Sequence, residues 1–98
     1  MYQDCLAIEL RLAGFTVERE RRVHFQYRGQ PVGAPLKVDL VVDDRLIVEV
    51  KAVERLHPVH LAQVITYLKL TGLPTGLLMN FNATALRSGL RTAVHPEL

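Results

Sequence analysis

The sequence predicts one α/β domain in which helices flank a mixed central sheet. Its 98 residues, 49% of them hydrophobic, are ordinary for a single globular domain. Two apolar, strand-like runs at 36–42 and 46–51 enclose a short acidic turn, as in a hairpin of central strands. A helical pattern from His57 to Gly72 separates the second run from another apolar run at 75–81. This strand–helix–strand order favours a parallel pair joined by a right-handed crossover, which makes the sheet mixed.

The first element is a helix from Tyr2 to about Ala13, ended by Gly14 in the C′ position. At about 100° per residue, one face of this helix collects a mostly apolar stripe, made of Tyr2, Cys5, Leu6, Glu9, Leu12 and Ala13. Cys5 is therefore expected in the core. Glu9 lies in the middle of the stripe, so we expect a buried carboxylate that either meets an arginine at the edge of the core or serves a functional site.

A strand-like region follows. Apolar and polar residues alternate weakly over 15–20 and clearly over 22–28, which predicts one long, bent and partly exposed strand. Residues 28–31 form a turn, and Gly33-Ala34-Pro35 predicts a second break before the hairpin.

Three charged residues inside the hairpin, Asp39, Glu49 and Lys51, select its register. A two-residue turn would put the two carboxylates on opposite faces of the sheet. With Val42 opposite Leu46, Asp39 lies directly across from Glu49 and Lys51 shares their face. The other face is then aliphatic throughout, with Leu40, Val42, Leu46, Val48 and Val50. This second register costs less, because a slip turns a whole strand's side chains to the wrong face. It requires a three-residue turn or a bulge.

The second helix starts at His57-Pro58, runs to about Leu70 or Thr71 and ends at Gly72. Its core stripe consists of Leu61, Val64, Ile65 and Leu68, and a polar file of His60, Gln63 and Tyr67 lies beside it. After the buried strand at 75–81 we expect a loop or short helical turn over 80–88, and a last edge strand over 90–94.

Composition excludes several classes of protein. A single cysteine allows neither an intramolecular disulfide nor a zinc knuckle, and it suits a reducing cytoplasm. No apolar stretch reaches membrane-spanning length, and the N-terminus lacks the layout of a secretion signal. The net charge of +2 and a pI near 9.0 permit a polyanionic partner without identifying one. The local positive cluster, Arg19, Arg21 and Arg22, is more often solvated surface than a DNA track.

The chemistry that suits the hairpin is metal-assisted phosphodiester hydrolysis. Carboxylates bind Mg²⁺, which typically takes one or two of them from a protein. Asp39 and Glu49 can supply these, and the backbone carbonyl of Val50 can add a third oxygen. Lys51 can orient a water molecule or neutralise charge that develops on the phosphate. The structural alternative is a buried ion cluster without catalytic use.

Three further residues are candidates for the same site. Glu9 can add a carboxylate from the packed helix, while Gln63 and Tyr67 can steady the lysine or contact phosphate. Gln63 and Tyr67 are otherwise a helix surface with a partly buried tyrosine. The spacing of His57 and His60 is not the i, i+4 pair of a helical zinc site.

These residues together resemble a known group of enzymes. Asp39, followed after the hairpin by Glu49-Val50-Lys51, resembles the PD-(D/E)XK nuclease signature, and the element order resembles that superfamily's restriction-endonuclease-like αβββαβ core. Gln63-x-x-x-Tyr67 is similar to the motif of its RecB-like and lambda-exonuclease-like branches. Val38 stands where the superfamily's name has proline.

Several other segments are most similar to the small bacterial GxxExxY proteins of that superfamily. They are residues 49–54, 58–63, 66–72 and 76–81, with Tyr2 as the motif tyrosine. The motif's glycine and glutamate would precede Met1 and are absent from this sequence, and Glu9 is the expected substitute.

The resemblance implies a metal-dependent nuclease that hydrolyses nucleic-acid phosphodiester bonds, DNA before RNA. Mg²⁺ is the implied cofactor and Mn²⁺ its substitute. A homodimer or a larger protein partner would help so small a domain to cover nucleic acid. The alternative is a catalytically weak or inactive nuclease-fold module that binds nucleic acid or a protein, which the missing motif glutamate favours.

Overall fold

The central sheet has the mixed topology that the sequence predicts. In the computed structural model, which describes residues 1–82 and 89–98, two helices flank five strands in the order β1-β2-β3-β4-β5. The elements are α1 (Tyr2–Leu12), β1 (Val17–Tyr27), β2 (Gln30–Val42), β3 (Leu46–Lys51), α2 (Pro58–Thr71), β4 (Thr75–Asn80) and β5 (Leu90–Val94). Only the pairing of β3 with β4 is parallel among these strands. The loop predicted over 80–88 falls mainly outside the described residues.

The β2–β3 hairpin has the predicted register, in which the charged residues of the two strands share one face. Val42 pairs with Leu46 and Leu40 with Val48. The turn has three residues, and its first two, Asp43 and Asp44, take positive φ angles of 52°. Continuing this register one step places the two carboxylates of the hairpin opposite each other, as predicted.

Each face of the sheet carries its own hydrophobic cluster. The α1 face buries Ala7, Leu40, Val42, Val48 and Met79. The α2 face buries Val38, Val41, Ile47, Val64, Tyr67, Leu68, Leu73, Leu78 and Ala93. Both faces of the hairpin are therefore covered, which confirms that β2 and β3 are central strands.

The bounds of α1 are confirmed, but its buried face is not the predicted one. Ala7 is buried, whereas Cys5, Glu9 and Leu12 are exposed. The helix docks through the small side chain of Ala7, and Glu9 lies about 200° around the helix from it. The predictions that Cys5 lies in the core and that Glu9 lies in a buried stripe are therefore wrong.

The predicted break at Gly33 is an irregularity within β2 and does not end it. Val23 pairs with Leu36 and Phe25 with Val32, so one residue of β1 stands against three of β2. Gly33 has a φ of 72°, which only glycine adopts readily, and it allows the strand to absorb the extra residues. The predicted single long strand is confirmed, and its irregularities are this register shift and a positive φ at Glu20.

The remaining elements follow the sequence closely. Pro58 opens α2, and Gly72 ends it in the left-handed region with a φ of 75°. Gly76 on β4 lies so close to α2 that a Cβ atom there would collide with the side chain of Val64. No helix in the described ranges is long and apolar enough to cross a membrane.

Candidate active site

The two carboxylates of the hairpin are fixed by each other's strands. The backbone N–H of Asp39 donates to Oε1 of Glu49 at 3.1 Å, and the N–H of Val50 donates to Oδ2 of Asp39 at 2.9 Å. The β2–β3 ladder ends at Leu40 and Val48, so these side-chain bonds replace the next backbone pair. Asp39 and Glu49 are thereby held at the point where the two strands separate.

Burial makes this pair electrostatically costly. Glu49 is 3% exposed, and its burial raises the pKa of the carboxyl to about 7, while the nearby Asp39 charge acts in the same direction. Burial also raises the pKa of Asp39, although the hydrogen bond from Val50 opposes that change. A cation at this position would relieve the cost, because it favours the charged form of both groups.

Lys51 supplies one cation, and α2 holds it. Its Nζ donates to Oε1 of Gln63 at 3.3 Å and lies 4.0 Å from Oε2 of Glu49. Tyr67 is buried one turn farther along α2 and shares a side-chain hydrogen bond with Gln63. Its pKa is raised to about 12 by burial and by the negative charges of Glu49 and Asp39, so the hydroxyl stays protonated.

The carbonyl of Val50 lies on the same side of β3 as Asp39. The N–H and C=O groups of one strand residue point to one side, and successive residues alternate. The carbonyl of Lys51 accepts the N–H of Phe81 on the β4 side, and the N–H of Val50 points to Asp39. The Val50 carbonyl therefore points toward the carboxylate pair, where the sequence analysis placed a third oxygen ligand.

Five of the six predicted side chains are brought together, and Glu9 is not. Asp39, Glu49 and Lys51 meet Gln63 and Tyr67 through the contacts above, whereas Glu9 lies on the exposed side of α1.

A different α1 residue reaches the hairpin. Nε2 of Gln3 donates to the backbone carbonyl of Asp39 at 3.3 Å. Gln3 is one turn before Ala7, so it would have been found had the buried face of α1 been placed correctly.

Asn80 is a second positioning residue that the sequence analysis missed. Its buried side chain accepts the N–H of Val53 at 3.0 Å and donates to the Val53 carbonyl at 2.9 Å. The side-chain amide of Asn80 thus makes the two hydrogen bonds that a neighbouring strand would make, and it fixes the chain that follows Lys51. A polar residue at the end of an otherwise apolar strand was the available signal.

A polar depression of about 680 Å³ lies at the start of α2, next to Val53. It is lined by Val53, Glu54, Arg55, His57 and His60. Nδ1 of His60 accepts the N–H of His57 at 3.0 Å, which leaves Nε2 as the nitrogen free to carry a proton in the neutral ring.

The arginine cluster of β1 is largely engaged within the protein. Arg19 pairs with Asp4, and Arg21 pairs with Glu18 and Asp44. The hydrogen bond to Glu18 is the main cause of the raised pKa of Arg21. These two arginines are surface ion-pair partners.

The donor set fits a hard divalent cation of the Mg²⁺ type. Asp39 and Glu49 each use one oxygen for a backbone N–H, and the hydrogen bonds of the described residues leave the other oxygen available. Within residues 1–82 and 89–98, no group of three or more His, Cys, Asp or Glu side chains could hold a metal. Two carboxylates and a carbonyl still suit Mg²⁺, which retains several waters.

Comparison with known proteins agrees with this geometry. The family model of the PD-(D/E)XK nuclease superfamily matches residues 1–93. No curated protein and no solved structure matches the chain significantly. The fold, with its mixed five-stranded sheet across the described residues, is consistent with a restriction-endonuclease-like architecture. Because the matched region spans nearly the whole sequence and includes every residue of the hairpin site, the chain belongs to the PD-(D/E)XK nuclease superfamily.

Proposed function

We propose that this protein is a metal-dependent nuclease that hydrolyses phosphodiester bonds in DNA. The observation that carries the proposal is the reciprocal pair of carboxylates, Asp39 and Glu49, with the ammonium of Lys51 4.0 Å from the second of them. Such a pair is expensive to bury without a cation, and a structural role alone gives little stability in return.

Asp39, Glu49 and the carbonyl of Val50 are the residues that would hold the metal. Mg²⁺, or Mn²⁺ in its place, supplies Lewis acidity toward the phosphate and lowers the pKa of a bound water. The rigid backbone bonds to both carboxylates fix their free oxygens in advance, which limits reorganisation when substrate binds.

The other site residues act on the water and the phosphate. The ammonium of Lys51 orients the attacking water and neutralises negative charge that builds up on the phosphate oxygens. Gln63 accepts one Lys51 N–H and so aims the ammonium, while Tyr67 braces Gln63 from the buried side of α2. The water oxygen forms the new bond to phosphorus and gives up a proton to solvent, while the bond to the leaving oxygen breaks and that oxygen takes up a proton from solvent.

The finer assignments rest on the family resemblance. We place the chain nearest the GxxExxY proteins and expect DNA before RNA as substrate. We also expect action in the cytoplasm and a homodimer or a larger partner, because so small a domain covers few nucleotides.

Cleavage of a plasmid and of labelled oligonucleotides with Mg²⁺ or Mn²⁺ tests the proposal. Glu49→Gln and Lys51→Ala should each remove at least ~99% of the activity, since the first removes a proposed metal ligand and the second removes the ammonium that acts at the reacting phosphate. Lys69→Ala, which removes an exposed lysine of α2, is the matched control and should cleave like the wild type. Cleavage that survives Glu49→Gln at wild-type rates would refute the nuclease assignment.

A binding module without catalysis is the second candidate. The exposed position of Glu9 favours it, because Glu9 adds no third carboxylate to Asp39 and Glu49. This candidate predicts nucleic-acid or protein binding that needs no divalent metal. Calorimetric titration with Mg²⁺ of the wild type and of Asp39→Ala separates the two functions: metal-dependent heat that only the wild type gives supports the nuclease, and no heat from either supports the binding module.

A further inference from the structure

The distal half of the β1–β2 hairpin leaves the core. Every residue from Phe25 to Pro35 is exposed, and we name this segment the β1–β2 arm. The molecule is correspondingly elongated, with extents of 44 × 31 × 26 Å. The tip is a tight turn at Arg28-Gly29, where both residues have positive φ, as in the two-residue turns that match strand twist. The arm is therefore an ordered two-stranded ribbon.

The strand that forms one side of the arm continues into the active site. Asp39 lies on the same strand as the arm, and β2 runs antiparallel to β3. Residues of β2 that precede Asp39 therefore extend beyond Lys51, the last residue of β3. At about 3.3 Å per residue, the stretch from Asp39 back to Pro31 reaches ~26 Å past the carboxylate pair. A polymer cleaved at the site would have this ribbon beside it.

The arm and its base, residues 22–37, contain cations and no carboxylate. Residues 21–38 contain no Asp or Glu. Arg22 pairs directly across from Lys37, and both are exposed. Like charges at directly opposed positions of a sheet are destabilising. No carboxylate of the described residues pairs with either of them, in contrast to Arg19 and Arg21. Both side chains lie on the sheet face away from α2, because their alternating neighbours Val23, Leu36 and Val38 pack on the α2 face. An opposed pair of cations at the base of the arm is suited to an anionic ligand.

Exposed apolar side chains accompany these charges. Phe25 is 48% exposed, Tyr27 66% and Val32 43%. Arg28 lies over the ring of Tyr27, with 5.9 Å between its Cζ atom and the ring centroid. Apolar side chains interleaved with cations suit a DNA groove, which has phosphates along its edges and thymine methyl groups on its floor.

We propose that the β1–β2 arm binds double-stranded DNA next to the cleavage site, with the ribbon in the major groove and Arg22 and Lys37 on the phosphates. This rests on the proposed nuclease function and adds the form of the substrate. The major groove of B-DNA is wide enough for a two-stranded β-ribbon, whereas that of A-form RNA is too narrow. A reach of ~26 Å covers about eight base pairs at ~3.4 Å each.

Fluorescence anisotropy with a labelled 20-base-pair DNA duplex, without divalent metal and from 50 to 200 mM salt, tests the proposal. Arg22→Gln/Lys37→Gln should weaken binding about tenfold or more, and the slope of log affinity against log salt should fall by about 2. The matched control, Arg45→Gln/Lys69→Gln, removes two exposed cations that lie outside both the arm and its base, and it should retain wild-type affinity within a few-fold. Equal affinity and slope for both double variants would overturn the proposal.

Two further measurements separate this role from others. The thermal midpoint of Arg22→Gln/Lys37→Gln should equal or exceed that of the wild type, because a like-charge pair is removed, so weak binding would not reflect unfolding. Tyr27→Ser/Val32→Ser should lower duplex affinity at unchanged mass in sedimentation analysis. Dissociation of a dimer with unchanged DNA affinity would instead assign the arm to a second copy of the chain and overturn the proposal.

Failure of the arm proposal is distinguishable from failure of the nuclease proposal. Duplex binding without metal reports on the arm alone, and cleavage by the wild type reports on the carboxylate pair alone. If the wild type cleaves while the Arg22/Lys37 variant binds duplex normally, only the arm proposal fails. A single-stranded DNA of the same sequence and an RNA duplex should each lose less affinity than the DNA duplex in that variant.

Discussion

Replacing Glu49 with glutamine should stabilise the metal-free protein above neutral pH, and on the proposed function it should also abolish cleavage. The folded carboxyl has a pKa of about 7 because it is buried, against an ordinary value of 4.5 in the unfolded chain. Ionisation therefore costs the native state free energy. The cost is negligible below about pH 4.5, grows between the two pKa values and is complete above pH 7. At ~1.4 kcal/mol per pKa unit, it amounts to about 3 kcal/mol.

Glutamine removes this cost while keeping an oxygen that can accept the N–H of Asp39. Urea denaturation of the wild type and of Glu49→Gln, at pH 4.5 and at pH 9, measures the difference between the two proteins at each pH. Taking that difference cancels the titration of the histidines, which both proteins share. Glu97→Gln, an exposed carboxylate near the C-terminus, should show no such pH-dependent gap. A wild-type-to-variant difference that is equal at both pH values would refute the reasoning.

The same experiment at pH 8 with Mg²⁺ gives the complementary result. A metal that binds only the native state stabilises it by about 2.7 kcal/mol at a hundred times its Kd. We expect that gain in the wild type and not in Glu49→Gln, so saturating metal should cancel most of the variant's advantage.

Three other predictions concern a proposed metal ligand, a residue that supports the site and the packing of α2 on the sheet. Asp39→Asn should abolish the metal-dependent heat in calorimetry while leaving the fold intact, because an amide oxygen can still accept a backbone N–H; full metal binding by this variant would exclude Asp39 as a ligand. Tyr67→Phe should lower kcat/KM about tenfold, the value of one hydrogen bond to Gln63, without changing metal-binding heat, and steady-state cleavage kinetics measure it. Gly76→Ala should lower the free energy of unfolding by about 2 kcal/mol, because the added methyl collides with Val64. Urea titration should show that Gly76→Ala combined with Val64→Ala loses less than the sum of the single losses.

The sequence was sufficient to predict the hairpin, because its charges and its aliphatic residues allow only one low-cost register. Asp39, Glu49 and Lys51 must share a face if Leu40 and Val48 share the other, and the observed pairing of these two residues agrees. The bounds of α2 were likewise predictable from Pro58 and Gly72, whose backbone preferences are local.

The packing face of α1 could not be derived in the same way. Its apolar residues lie around much of the helix, and the face that docks is decided by how closely the helix approaches the sheet. Ala7 permits a close approach, which leaves the larger Leu12 77% exposed and turns Glu9 to solvent. The contribution of Gln3 depends on that same contact and was missed for the same reason.

The prediction that Gly33 interrupts the strand was wrong, although Gly33 does have the unusual backbone conformation that its neighbourhood indicates. A glycine with positive φ two residues from a proline is unfavourable in a regular ladder, yet a ladder that changes register can accommodate both. Long-range pairing with β1 kept the strand continuous, and that pairing is not visible in the residues around Gly33.

The reciprocal bonds between the carboxylates and the opposing strands give the site a built-in spectroscopic probe. The amide protons of Asp39 and Val50 are bonded to the carboxylates and not to carbonyls of the sheet. Their NMR chemical shifts should therefore follow the ionisation of Glu49 and the arrival of a divalent ion, while neighbouring amides of β2 and β3 stay constant. Two backbone resonances can thus report on the state of the site in a protein that has no substrate, no label and no altered residue.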